Sequence, residues 1–256
     1  MEIPFQYLLR HGKVDSLVLD KSDYINDMLV LPNNLIVVAS SGSLTLYDEN
    51  FNLIQSIETI NGKKIYPHAI EFDESEKCLY MSDWLNRSIF KIDLHFVLIK
   101  MIHFERYNVD YQLGICLINN CLLVCHSEDK QIKVYDSNLE FISSFSLDFT
   151  PLKIKATNST ICVISSENIY FYRIQDISLW QKYVVSSSDE ISVINSTFYI
   201  SNFTQNSIHC FNENGNLKEV IKLGCNRRYI RYSCAFAKLN NDLLMRSSHE
   251  ICKFRK

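Results

Sequence analysis

Asp83 and Arg87 stand four residues apart in LYMSDWLNRSIFKID (Leu79–Asp93), with Trp84 between them. An acid, a guanidinium and an aromatic ring so close together can bind a ligand, and they can equally fix a loop by satisfying its backbone donors. A second group, CNRRYIRYSC (Cys225–Cys234), sets Arg227, Arg228 and Arg231 among Tyr229 and Tyr232. Basic and aromatic side chains interleaved in this way pair phosphates while stacking bases, or hold an acidic peptide. His68, His126 and His249 are ligand types for zinc, although they lie far apart in the chain. A calcium site would need Glu, Asn and Asp converging from several strands, and the candidates for that are only Glu71 and Asn158. Neither a G-x-S-x-G elbow, a phosphate-binding loop nor an H-E-x-x-H helix is present, so no catalytic motif announces itself.

Composition narrows the field. A formal charge of −3 over 256 residues gives no global attraction to nucleic acid or anionic lipid. The nine cysteines sit in apolar runs such as CLLVC and TICVI and never as C-x-x-C, which fits buried reduced thiols better than a disulfide framework or a zinc ribbon. The amino-terminal MEIPFQYLLRHGKVD lacks a basic start followed by an apolar core, so no secretory signal is expected. No apolar run reaches 18 residues. Of the four N-x-S/T sequons, at Asn86, Asn158, Asn195 and Asn202, two fall on turns, and none is expected to be glycosylated. The expectation is a cytoplasmic monomer with no membrane association, no metal and no cofactor.

What positions these residues is a repeat. LLVCHSEDKQIKVYD (Leu122–Asp136) and FYISNFTQNSIHCFN (Phe198–Asn212) align with the opening stretch without a gap, each as strand, polar loop and strand. Shorter copies are LIVVASSGSLTLYD, ICVISSENIYFYR and LLMRSSHEICKFR, which makes six. Tyr47, Ile92, Tyr135, Tyr172, Phe211 and Phe254 mark one position in each, and the steps between them lie between 37 and 45 residues. A unit of about 40 to 45 residues with four strands is the size of a β-propeller blade.

Each copy follows a short apolar strand closed by a tight turn, in which Asn33, Asn119, Asn158, Asn195 and Asn240 share a register. Asn tolerates positive φ and takes over glycine's hairpin role in a chain with six glycines. An outer strand follows every copy except the last, and GKVDSLVLD (Gly12–Asp20) is left over at the opposite end. The reading is all-β: one domain over 1–256, a closed six-bladed propeller with blades at about 25–60, 66–104, 112–148, 151–185, 189–223 and 229–256, the last completed by 12–20.

The segment PHAIEFDESEKCLYMSDWLNRSIFKID (Pro67–Asp93) resembles the NHL repeat through Pro67, Asp83, Asn86, Arg87 and Ile89. Elsewhere the letters drift, with His126 and Asn202 at the Asp position and Lys130 and Asn206 at the Arg position. Lactonase propellers of the senescence marker protein type and the TolB-like group share the strand rhythm. The resemblance implies a six-bladed recognition platform, which in many NHL proteins selects substrates for a ubiquitin ligase or binds single-stranded RNA.

In such a blade, the loop joining the second and third strands and the loop entering the first lie on one face of the ring. That face, here the entry face, gathers the candidate partner-binding residues: Trp84, Arg87, Tyr107, His126, Phe203, Arg227, Arg228, Tyr229, Arg231 and Tyr232. Asp83 with Arg87 is read as a structural pair, and Trp84 with Phe203 as exposed anchors. The expected function is a binding module and no enzyme, recognising a protein or peptide, with a role in ubiquitin ligation. The alternatives are single-stranded RNA held by the basic and aromatic patch, and, behind it, a metal-dependent propeller enzyme.

Overall fold

The computed structural model describes residues 13–19, 24–105, 113–176, 179–184, 188–202, 204–222, 235–240 and 242–255. None of them is helical; they form six four-stranded antiparallel sheets and one two-stranded ribbon. Blade 1 runs outward from Ile25–Val30 through Ile36–Ser40 and Leu44–Tyr47 to Leu53–Ile57. Blades 2 to 5 repeat that order from innermost strands Pro67–Asp73, Ile115–Ile118, Lys153–Ala156 and Ser188–Ile194. Blade 6 supplies Ala235–Leu239, Asp242–Arg246 and Glu250–Arg255, and takes its outermost strand, Lys13–Val18, from the other end of the chain. Lys13 faces Arg255 and Val18 faces Glu250 across that antiparallel pairing. The all-β, six-bladed expectation and its borrowed strand both hold.

Six apolar clusters form the cores, one between each pair of neighbouring blades. Val37 and Ala39 face Met81 and Ile92 of blade 2, whereas Ile36 and Val38, on the other side of the same strand, pack with Leu244 and Ile251 of blade 6. The second strands are therefore buried on both faces, as in Cys78–Asp83, where no residue is exposed. This explains why their apolar pattern is nearly continuous rather than alternating. The outermost strands bury little, with Phe141, Ile142 and Ile99 each more than half exposed.

Recurrent turns follow from recurrent letters. After the third strand, the side chain of Asp48, Asp93, Asp136 or Asn212 accepts backbone N–H bonds from the residues two and four ahead, at 2.7 to 3.1 Å. The residue three ahead is forced to positive φ: Phe51, Phe96, Leu139 and Gly215. In the inner hairpins, Asn119–Asn120 and Asn195–Ser196 both adopt positive φ, the hairpin geometry expected of Asn. Blade 1 uses Asn34 instead, while Asn33 caps the N–H of Leu35 through its side chain. Blade 4 departs from the pattern: the Thr157 hydroxyl accepts from the N–H of Thr160, and Asn158 keeps an ordinary φ.

Two glycines at positive φ separate backbone strain from crowding. A Cβ at Gly215 would lie 2.6 Å from the buried Phe171 ring, whereas at Gly62 nothing lies within 4 Å. Gly62→Ala should cost about 1 kcal/mol and Gly215→Ala a further 1 to 3 kcal/mol. Urea denaturation of the two variants checks this, and equal losses would show that the Phe171 contact is free to relax.

Candidate functional site: a charged central channel

The entry-face loops are built as corners first. Asp83 is fully buried; its Oδ2 accepts the N–H of Tyr66 at 2.8 Å and its Oδ1 that of Asn86 at 2.8 Å, which ties the loop into blade 2 to the segment entering it. In blade 5, Asn202 Oδ1 accepts from Gln205 N–H at 2.9 Å in the same way. The positions that the repeat gives as Arg87, Lys130 and Asn206 share φ of 50°, 50° and 47°, so a left-handed turn is what they have in common.

His126 is buried with its ring edge-on to Phe104, 4.6 Å between centroids, and burial lowers its imidazole to about 4. Trp84 is half-buried, and Leu85 beside it is 45% exposed. Tyr107, Phe203, Arg227, Arg228, Tyr229, Arg231 and Tyr232 lie outside the described residues. The three histidines weighed for zinc do not converge: His249 lies against Tyr24 and His68 points into the channel. Among the described residues, no group of three or more His, Cys, Asp or Glu is placed to hold a metal ion.

The densest polar chemistry lies on the axis, where the six innermost strands line a channel. Toward the entry face, Glu190 of blade 5 is paired with both Lys153 of blade 4 and Arg246 of blade 6. The Arg246 guanidinium, 2% exposed, also donates to the carbonyls of Ile25 at 2.9 Å and Asn26 at 2.6 Å in blade 1. Burial works against the Glu190 charge, but the two cations outweigh it and hold the carboxyl below its ordinary value. A chamber of about 20 Å³ remains there, room for about one water. His68 faces it; burial drives the ring to about 4, and its Nε2 has no hydrogen-bond partner. Gly114 permits this closeness, since a Cβ there would stand 2.6 Å from the Leu152 carbonyl oxygen.

Past this plug the channel widens into a cavity of about 390 Å³ toward the face where innermost strands turn back, reaching Asn195 in one such turn. All six blades contribute to its wall. Glu71 of blade 2 is ion-paired with Lys155 of blade 4 across the width of blade 3, where the side chain between them is the small Cys116. Burial raises the Glu71 carboxyl above its ordinary value; the Lys155 ammonium, disfavoured by burial, is held protonated by Glu71 and Asp27. Asp27 accepts from the N–H of Met28 at 2.8 Å and of Ile70 at 2.9 Å.

Sequence reasoning named Glu71 here and missed Asp27, Lys153, Lys155, Glu190 and Arg246. The available signal was charge in the innermost strands, as in INDMLV, KIKA and SDEISVI. The cavity lies toward the end of the channel opposite the loops picked from sequence.

No family model matches the chain, so NHL membership is not established, and no curated protein matches it. Solved structures do. A catalytically inactive H270A virginiamycin B lyase from Staphylococcus aureus, solved with quinupristin, is 9% identical with a TM-score of 0.67, and the match covers 96% of this chain and 100% of that one. A streptogramin B lyase structure is also 9% identical, with a TM-score of 0.70 over 95% of this chain and 87% of that one. At that identity the likeness shows the fold. It also corrects the expectation that the chain is no enzyme: this architecture carries lyases, and the lack of a short catalytic motif excludes nothing. Localisation stays open too; no helix among the described residues is long and apolar enough to cross a membrane.

His68 and His126, the two rings that burial lowers furthest among the described histidines, set an acid limit. Each has a folded value near 4 against an ordinary 6.5, so as pH falls the unfolded chain takes up protons first and stability declines between about 6.5 and 4. The loss should approach about 3 kcal/mol per ring at pH 4. His126→Leu should flatten the slope of the urea midpoint over that window, and an unchanged slope would show that His126 protonates freely in the folded state.

Proposed function

We propose that the chain binds a small polar molecule in the cavity at the turn end of its central channel. One observation carries this reading: a concave space walled by all six blades brings a desolvated ion pair, Glu71 with Lys155, to a surface of mixed polar and apolar character. Ligand sites are usually concave and fitted with a few convergent polar groups, and the volume sits at the lower end of their range. The plug at the entry end leaves the turn end as the way in. A propeller of this fold solved with quinupristin supports a small-molecule ligand as a class, without bearing on its identity. Whether the bound molecule is also transformed is a question for the same residues, since a carboxyl raised by burial next to a fixed ammonium is suited to proton transfer.

A second reading, a protein or peptide partner on the entry face, is favoured by the exposed Leu85 beside Trp84, an aromatic and aliphatic pair of the kind that anchors interfaces. Nothing in the described residues bears on ubiquitin ligation, and the patch invoked for RNA lies outside them.

The cavity reading is tested by a thermal-shift screen of small polar compounds on the wild-type protein. Compounds that stabilise it should lose at least tenfold in affinity in the double variant Glu71→Gln/Lys155→Met. The double change is chosen because removing Lys155 alone leaves a buried carboxylate and should cost about 3 to 5 kcal/mol. Hits that bind the double variant as well as the wild type would overturn the assignment.

A further inference from the structure

We infer that the ligand of this cavity is a small zwitterion with an apolar arm, of the class of free α-amino acids with aliphatic or aromatic side chains. The inference rests on the cavity being the ligand site proposed above. Its first support is the balance of charge. Asp27 and Glu71 face Lys155, with Lys238 at the exposed rim, two acids against two bases. A ligand that brings a net charge gains nothing from such a lining.

The second support is how the central pair is held. The side chains of Glu71 and Lys155 are 18% and 24% exposed, so both charged ends lie near the cavity while remaining largely out of water. A lone carboxylate could reach Lys155 only by competing with Glu71, and a lone ammonium could reach Glu71 only by competing with Lys155. Either would leave a desolvated charge with less compensation than before. A zwitterion offers its carboxylate to Lys155 and its ammonium to Glu71 together, so each protein charge keeps a partner of opposite sign. Asp27, anchored by two backbone N–H groups, adds a second acceptor side on which an ammonium fits.

The third support is the wall. Leu29, Val30, Leu117, Val193 and Ile194, each only partly buried, supply aliphatic surface beside the charges. A polyol would leave hydroxyls against that surface unpaired, whereas an apolar side chain fills it.

The experiment is calorimetric titration of the full chain with five probes: L-leucine, L-phenylalanine, 4-methylpentanoate, isopentylamine and glucose. The expected result is saturable binding of at least one amino acid, with each single-charge analogue at least tenfold weaker and glucose silent. In Glu71→Gln/Lys155→Met, shown folded by circular dichroism, amino-acid binding should fall at least tenfold. Lys238→Trp, an exposed rim change that leaves the pair intact, should weaken any probe that enters the cavity. Glucose or a single-charge analogue binding as well as its amino acid, with sensitivity to Lys238→Trp, would overturn the zwitterion class and leave the cavity as the site. Amino-acid binding indifferent to all these substitutions would overturn both, whereas no binding by any probe would overturn the amino-acid class and leave the cavity to the compound screen.

Discussion

The guanidinium of Arg246 sits where the two ends of the chain are joined into a ring. It rises from the second strand of blade 6, reads two carbonyls of blade 1 and pairs with Glu190 of blade 5, so one side chain ties three blades across the seam. Arginine suits this position because its planar fork can serve several acceptors at once while staying charged out of water. At the other end of the same blade, Lys253 donates to the Glu49 carbonyl at 2.7 Å and Asn240 to the Glu49 carboxylate at 3.3 Å. The seam is thus pinned near both faces, and the charges that plug the channel are the ones that hold the ring shut.

This arrangement separates two uses of buried charge. The entry-end triad of Lys153, Glu190 and Arg246 is spent on backbone and on itself, which leaves it little to offer a ligand. The Glu71 and Lys155 pair farther along has no comparable set of backbone partners and meets open space instead. Burying an ion pair is a weak source of stability, and a pair retained beside a cavity is more readily explained by what enters. The lyases of the same fold illustrate that a propeller scaffold does not dictate what its sites do.

Most of the fold was legible in the sequence because a propeller repeats its solutions. Asp48, Asp93 and Asp136 recur since each must cap the same turn, and the leftover strand at Lys13–Val18 was visible because one blade lacked its outermost member. The channel was not legible for the opposite reason. Asp27, Lys153 and Glu190 share one aligned position and Glu71 and Lys155 share another two residues on, but sign and residue type change from blade to blade and Ala69, Gly114 and Ala235 fill the first position elsewhere, so no shared letter picks them out. Arg246 resembles the polar end of an ordinary strand, and only the curvature of the ring turns it toward the axis. The repeat also directed the reading of Asp83 and Arg87 toward structure: Asp83 is consumed by backbone donors, and Arg87 sits at a position whose blades share a left-handed turn.

Pairing Lys13–Val18 with Glu250–Arg255 has a consequence for the order of events during synthesis. The first described strand has no partner until residues some 240 positions later have been made. Blades 1 to 5 can form in sequence as local hairpins, but ring closure waits for the most distant contact in the fold and is the slowest to find. Until then Leu17 and the blade 1 residues Ile25, Met28, Ile36 and Val38 lack the blade 6 surface they pack against. A nascent chain of this design therefore carries a sticky, half-covered first blade until blade 6 has been made, which makes that blade the natural point for chaperones to attend to.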